Sequence, residues 1–358
     1  MEPSSNMLLG WLIIGVVVGA VVVVAGAATG AALLLLGRGV SPTTMALKSG
    51  QAVASATGLT LTGTVAGESA SVTVTRAGTV EGSYSRGGNQ VTRITIQGVT
   101  YLKAPTAFWT STSVGQTSAT QAGGNWAKAP ADAVSISFAS LTPAEVSRVL
   151  EHVGKNPRFV RTTLDGTQVI KLSARGATYY ISTISPYRLL RIDGVSGTKP
   201  YSFSVTALDA ATIGPVFTIL HSDVQALQGA VDPEAIVLPL QKIRFGPDCS
   251  AASSCTVSSK VTVAAAAGSA TVLVKMTVDF SGTKNGTPFA TCTETTVATS
   301  LASASQSCGV GGSVWSGWFN SHTGNFTTWA DAHFETMVNS ASNIAALQTE
   351  LNQEQQVG

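Results

Sequence analysis

Short segments in which apolar and polar residues alternate dominate residues 59–104 and 158–208, and they constrain the fold more than any other feature. Valine, isoleucine and threonine recur there with the period typical of half-buried β-strands. Because the turns between the segments are short and rich in glycine, the pattern predicts an antiparallel meander and excludes βαβ crossovers. The predicted strands are LTLTGTV (59–65), SASVTVTR (69–76), GTVEGSYS (78–85), NQVTRITI (89–96), VTYLKA (99–104), RFVRTTL (158–164), TQVIKLSA (167–174), ATYYIST (177–183), YRLLRID (187–193) and YSFSVTAL (201–208).

Two helices are predicted beside these strands. Ser41-Pro42 begins the first, which continues through Ala56. Thr142-Pro143-Ala144-Glu145 is a capping box that begins the second, at 141–153. A sheet of about ten antiparallel strands curls on itself, so its concave face must be filled by side chains or hold a ligand. The helix at 141–153 is long enough to close that face.

The second half of the chain predicts a smaller, β-rich domain. A helix over Pro215–Gly229 comes first, and proline residues then interrupt an extended stretch. The later segments alternate and favour a small β-sandwich. These segments are CTVSSKVTV (255–263), ATVLVKMTVDF (270–280), FATCTETTVA (289–298) and ASASQSCGV (302–310). Residues 326–354 carry an irregular apolar stripe and predict a helix in an acidic tail.

The four cysteines all lie in this second half, and they allow three pairings. Cys249–Cys255 and Cys292–Cys308 fit best, because the first pair closes a short loop and the second joins two strands across a predicted hairpin. Zinc is the alternative, although the usual spacing of zinc-binding cysteines is absent. Disulfides persist outside the cytosol, so the pairing favours an external position of this half, on the far side of a membrane.

Residues 7–37 contain no charged side chain and are long enough to span a bilayer with some tilt. The alternative is a cleaved signal peptide, but its apolar region is usually shorter. The charges of Arg38 and Lys48 weakly favour a cytoplasmic C-terminal side, whereas the cysteines favour the opposite orientation. The expected order is a short cytoplasmic tail (1–6), a single-pass transmembrane anchor (7–37), an antiparallel half-barrel domain (41–211), a helix and linker (212–248), a β-sandwich-like domain (249–325) and a C-terminal helical tail (326–358).

Composition and motifs exclude several functional classes. Charged residues are 11% of the chain and the net charge is +2, which argues against nucleic-acid binding. The four histidines form no close metal-ligand pair, and no nucleotide-binding or nucleophile-elbow motif occurs. Two SGTK tetrads, at 196–199 and 281–284, have the spacing of a serine–lysine hydrolase, but their glycines favour surface turns. We therefore expect no enzyme activity, no metal and no cofactor.

Several segments resemble the exported LppX/LprG-type lipoproteins of actinobacteria. They are ALKSGQAVASATGLTLTGTV, VTYLKAPTAFW, NWAKAP, FASLTPAEVSRVL and GTQVIKLSARGATYYISTISPYRLLRI, and they cover roughly residues 45–210. The resemblance implies a lipoprotein-carrier-like fold, in which helices cross the concave side of a half-barrel and the cavity takes up a lipid or glycolipid. That family is usually tethered by a lipidated cysteine, whereas this chain carries the apolar run of 7–37 instead.

Apolar and aromatic residues of this region are the candidate lining of a lipid cavity, although buried aromatic residues more often simply pack in a core. The candidates are Tyr101, Phe108, Trp109, Trp126, Phe138, Val146, Val149 and Leu150. Residues 148–199 carry nine basic and three acidic side chains, which suits either an anionic membrane surface or a solvated strand face. The expected function is lipid or glycolipid binding or transfer in the cell envelope. The alternative is a non-catalytic module for adhesion, assembly or sensing, whose protein partners the sequence leaves open.

Overall fold

Eleven antiparallel strands form one sheet in the computed structural model, which describes residues 40–134, 136–153, 158–264, 271–322 and 327–357. The strands are β1 (Gly58–Val65), β2 (Glu68–Thr75), β3 (Val80–Arg86), β4 (Asn89–Ile96), β5 (Val99–Lys103), β6 (Trp126–Lys128), β7 (Phe159–Leu164), β8 (Thr167–Ala174), β9 (Ala177–Ser182), β10 (Leu189–Ser196) and β11 (Lys199–Leu208). Their lateral order is β6-β5-β4-β3-β2-β1-β11-β10-β9-β8-β7. The predicted large antiparallel sheet is confirmed, with the short strand β6 in addition.

The register of the strands defines two faces. One row of paired residues runs from Val205 on β11 through Leu61, Val72, Gly82 and Arg93 to Leu102 on β5. We call the face that carries this row the inner face. Residues one position along each strand, such as Ile94 and Tyr101, lie on the outer face.

Four helices accompany this sheet: α1 (Pro42–Ala54), α2 (Thr106–Thr110), α3 (Gln116–Ala122) and α4 (Pro143–Glu151). The first and last were predicted, and a side-chain cap begins each: Ser41 accepts from the amide of Thr44, and Thr142 from that of Glu145. Helix α1 contacts β9 and packs along α4. The two helices approach closely at Gly50, where a Cβ atom would lie 3.2 Å from the Cβ of Leu150.

The C-terminal half contains helix α5 (Gly214–Ala226) and two smaller sheets. The first sheet comprises β12 (Ile236–Pro239), β13 (Arg244–Phe245), β14 (Ser254–Ala264) and β17 (Ser303–Gly311); the second comprises β15 (Thr271–Ser281), β16 (Ala290–Thr299) and β18 (Trp329–Met337). Helix α6 (Gly312–Ser321) follows β17, and helix α7 (Ala341–Val357) ends the described chain. The helix predicted near Pro215–Gly229 is confirmed as α5.

Two predictions for this half need correction. Residues 329–337 are a strand rather than part of a long helix, because β18 pairs with β15 along its whole length. The disulfide pairing is confirmed, but Cys292 and Cys308 lie on strands of different sheets, with Cα atoms 5.9 Å apart, and not on a hairpin.

Residues 41–358 form one compact unit, and the predicted domain boundaries inside it stay predictions. Val231 links its parts, because it forms isolated bridges both to Ala127 on β6 and to Met337 on β18. The predicted anchor, 7–37, lies outside the described residues, as does the tail that precedes it. Among the described residues, we find no helix with the length and apolar character of a membrane span.

Candidate functional site

The inner face of the large sheet carries a continuous apolar surface. Side chains from β1–β4 and β8–β11 contribute to it, and each is at most 9% exposed. Examples are Leu59, Leu61, Val72, Val74, Val80, Tyr84, Val91, Leu172, Tyr179, Ile181, Ile192, Tyr201, Phe203 and Val205. The covering elements are α1, α4 and the segment that precedes α4. These helices have 13 and 9 residues, so the burial of this face depends on short helices and on an irregular segment.

The segment between β6 and α4 crosses the inner face, and we call its described residues, 130–134 and 136–138, the strap. Two arginines of the sheet hold it by donating to main-chain carbonyls. Arg86 Nη1 lies 2.9 Å from the oxygen of Asp132 and 2.8 Å from that of Ala133. Arg93 Nη1 lies 2.7 Å from the oxygen of Ile136. Each guanidinium therefore fixes strap main chain to the sheet.

Arg93 is the most deeply buried charge on this face, at 3% exposure. Its Nε donates to Thr95 Oγ1 at 3.0 Å, and its guanidinium lies 5.0 Å from the ring centre of Phe138. Burial lowers the pKa of Arg93 to about 10, so the side chain is still cationic at neutral pH. The paired position on β3 is Gly82, where a Cβ atom would lie 2.3 Å from the carbonyl oxygen of Ser71.

Sequence reasoning missed Arg93, although a signal was present. In NQVTRITI, Arg93 shares the period-two face of Val91, which is fully buried. An arginine in phase with buried apolar residues indicates a buried charge rather than a solvated one.

The eight predicted cavity residues do not line one surface. Phe138 packs on Phe203 of the inner face, with ring centres 6.0 Å apart, and the three candidates of α4 are buried beside α1. Phe108 and Trp109 lie on α2, and Arg86 stacks over Phe108 at 5.5 Å. Tyr101 and Trp126 lie on the outer face, in a core with α5 and α7. The structure therefore brings Phe138 and the α4 residues to the inner face and separates Tyr101 and Trp126 from them.

The outer face is covered by helices as well, and two cavities lie on it. The larger, of about 440 Å³, is bordered by Tyr101, Lys128, Asp232, Asn339 and Leu347. Lys128 Nζ lies 3.2 Å from Asp232 Oδ2, and the hydroxyl of Tyr101 donates to Asn339. The smaller cavity, of about 370 Å³, lies over β2–β4 beside Glu81. Neither cavity lies beneath α4.

On the outer face, Glu81 is the acidic residue whose pKa burial raises most. Desolvation raises its pKa to about 7, and the nearby carboxylate of Asp223 on α5 raises it further in the same direction. Burial also raises the pKa of Asp223. Near neutral pH, protonation of Glu81 is therefore coupled to the packing of α5 on the sheet.

The basic residues of 148–199 are distributed over several surfaces. Lys171 and Arg191 both lie over the ring of Tyr180, and Arg191 also pairs with Asp193. Arg161 is exposed on the edge strand β7, and Arg175 occupies the β8–β9 turn. Lys155 lies outside the described residues, and an anionic membrane surface as a partner stays a prediction.

The SGTK tetrads occur at strand ends. Ser196 and Lys199 pair directly across the β10–β11 turn, in which Gly197 has a φ of +61°. The hydroxyl of Ser281 donates to the carbonyl oxygen of Thr283. Both arrangements are ordinary turn geometry. Within the described residues, no cluster of three or more His, Cys, Asp or Glu side chains has the arrangement of a metal site.

Comparison with known proteins gives a distant likeness only. No family model and no curated protein matches the chain. Among solved structures, the crystal structure of the Mycobacterium tuberculosis lipoprotein LppX is similar at 17% identity, with a TM-score of 0.30. The alignment covers 46% of this chain and 95% of that one. The proposals below therefore rest on the residues and geometry of this chain.

Proposed function

We propose that this chain is a membrane-anchored cell-envelope protein whose large sheet binds or transfers a lipid or glycolipid on its inner face. The observation that carries the proposal is the continuous apolar inner face under a cover of short helices and a strap. An acyl chain needs an apolar surface of this kind, and burying each methylene contributes about 0.8 kcal/mol. The proposed anchor is the uncharged run of 7–37.

Binding requires the cover to move, because the inner-face side chains are buried in the structure. The α1–α4 pair is the natural moving part. The close approach at Gly50 makes the two helices one packed unit, so they move together. Displacing this unit exposes the inner face without breaking the ladders of β1–β11.

The closed inner face also favours a second candidate function, a non-catalytic module for adhesion, assembly or sensing. Phe138, Val146 and Leu150 are at most 3% exposed, as they are in an ordinary core. In that case the cover is permanent and the protein presents only its surfaces.

Photocrosslinking distinguishes the two functions. Benzoylphenylalanine replaces Phe138 on the inner face or, as a matched control, Phe217 on the outer face; the two side chains are 3% and 2% exposed. The full chain is irradiated in its native membrane, purified and digested, and lipid adducts are identified by mass spectrometry. Lipid binding on the inner face predicts adducts at position 138 and none at position 217.

Absence of adducts at position 138 in a folded protein would contradict lipid binding and support the non-catalytic module. Equal adduct yields at both positions would also contradict it, because they indicate nonspecific contact with membrane lipid.

A further inference from the structure

Arg93 places a positive charge in the apolar inner core without an acidic partner. Its hydrogen bonds go to the carbonyl of Ile136 and to the hydroxyls of Thr95 and Thr100, at 2.7, 3.0 and 3.5 Å. Among the described residues, no carboxylate lies within ion-pair distance of this guanidinium. A buried cation without an anion is costly, and neutral oxygens compensate it only in part.

The acceptor that Arg93 uses in the strap is a neutral carbonyl, and an anion is a stronger acceptor. A carboxylate or phosphate can accept two parallel hydrogen bonds from a guanidinium and also neutralises its charge, whereas the carbonyl of Ile136 accepts one bond and carries no charge. A carboxylate or phosphate that reaches Arg93 therefore competes favourably with the carbonyl of Ile136. Loss of that bond would free the strap on the amino-terminal side of α4, which is the element that must move for lipid to enter.

We propose that Arg93 recognises the acidic headgroup of an anionic amphiphile, and that this contact releases the strap from the inner face. The inference rests on the proposed function and adds the ligand class: a single carboxylate or phosphate attached to an acyl or alkyl chain. The headgroup lies at Arg93 between β3 and β5, and the chain extends over the apolar side chains of β1–β3.

Arg86 provides a comparison within the same site. It also holds the strap through carbonyl oxygens and also stacks on an aromatic ring, but it is partly exposed and lies toward the end of β3. If the arginines only hold the strap, replacing either arginine changes the labelling by all ligands to the same extent, whether or not the ligand is charged. If Arg93 binds the headgroup, only its replacement removes the preference for an anion.

The test uses the full chain in nanodiscs of zwitterionic lipid, with benzoylphenylalanine at position 138 and three added ligands of equal chain length: palmitate, hexadecyl phosphate and hexadecanol. The measured quantity is the concentration of each ligand that gives half-maximal adduct. We expect one or both anions to label at a concentration about 10- to 100-fold lower than hexadecanol, the range that a charged hydrogen bond provides. The more effective anion distinguishes a carboxylate from a phosphate headgroup.

Three variants complete the test. In Arg93→Met, we expect the half-maximal concentrations of the two anions to rise to that of hexadecanol. Labelling by hexadecanol should persist, which also shows that the variant is folded. Arg86→Met loosens the strap and is expected to change the half-maximal concentrations of all three ligands by a similar factor. Arg188→Met, which removes an exposed arginine, leaves all three unchanged.

Equal labelling by the anions and hexadecanol in the unaltered protein would overturn the role of Arg93 and leave lipid binding intact. Loss of the anion preference in Arg86→Met to the same extent as in Arg93→Met would also overturn it. Absence of labelling by all three ligands would instead refute the proposed function on which it rests.

Discussion

Glu81 shows how a single half-buried carboxyl makes stability depend on pH. Its pKa is about 7 in the folded protein against an ordinary value of 4.5, with burial as the main cause. Between these values the folded state binds more protons than the unfolded state, so stability falls as pH rises through that window. A shift of this size corresponds to about 3 kcal/mol, present as a penalty above pH 7.

Glu81→Gln removes this penalty because the amide is neutral at every pH. We expect the variant to melt about 5 °C or more above the unaltered protein at pH 8 and close to it at pH 4.5. Thermal unfolding at the two pH values measures the difference. The control is Glu294→Gln, an exposed carboxyl that should show no such gain. An equal effect at both pH values would refute the titration of Glu81.

At the scale of single residues, the sequence shows which residues are apolar but not on which face of the large sheet each one lies. Tyr101 and Phe138 were grouped as lining of one cavity, whereas the strand register places Tyr101 on the outer face. Period-two alternation separates the two faces of a strand, but it does not say which face a later helix covers. Here α5 and α7 cover the outer face, so aromatic residues are buried on both sides.

Local signals predicted the elements whose determinants are short in sequence. The capped starts of α1 and α4 were found because each cap lies within one helical turn. Strand β18 was assigned to a helix because the helical segment of α7 follows it closely, although Ala330, Ala332 and Phe334 alternate with polar residues at the period of a strand. Its pairing with β15, 48 to 64 residues earlier in the chain, fixes it as a strand.

The Cys292–Cys308 bridge joins β16 to β17 and thus connects the two small sheets. It closes a loop of 16 residues, for which the chain-entropy model gives about 3 kcal/mol. We expect Cys292→Ala/Cys308→Ala to lower the melting temperature by roughly 5 °C or more and to speed hydrogen exchange in β16 and β17. Exchange in β1–β4 should not change, because those strands lie in another sheet.

The matched control is Cys249→Ala/Cys255→Ala, which opens a loop of 6 residues between the short helical turn Pro247–Ser250 and strand β14. This variant should lower the free energy of unfolding by less, about 2 kcal/mol, and leave the amides of β16 protected from hydrogen exchange. If the two double variants were equally stable and β16 exchanged alike in both, the bridge would not be what holds the two sheets together.

At the scale of the whole molecule, the large sheet is covered on both faces by different means. Helices α5 and α7 share one apolar core with the outer face, and Val231 bridges β6 of the large sheet and β18 of the second small sheet. In the described part of the chain, the inner face is covered by α1, α4 and the strap, and Phe108 of α2 contacts it at Arg86. The sequence predicted the large sheet and the helix over it, but the two-sided cover depends on α7, which lies more than 200 residues away from β5 in the chain.

The central claim is that the inner-face cover moves when an amphiphile binds, and a distance measurement tests it most directly. Spin labels are placed at Arg148→Cys on α4 and Thr62→Cys on the outer face of β1, both exposed positions. Because the four natural cysteines are paired, only the two introduced thiols react. Pulsed electron paramagnetic resonance on the full chain, with and without whichever of palmitate and hexadecyl phosphate labels more effectively, at saturation, should show the α4–β1 distance change by about 5 Å or more. Identical distance distributions in the two samples would contradict the account, because the inner face would then be a permanently closed core.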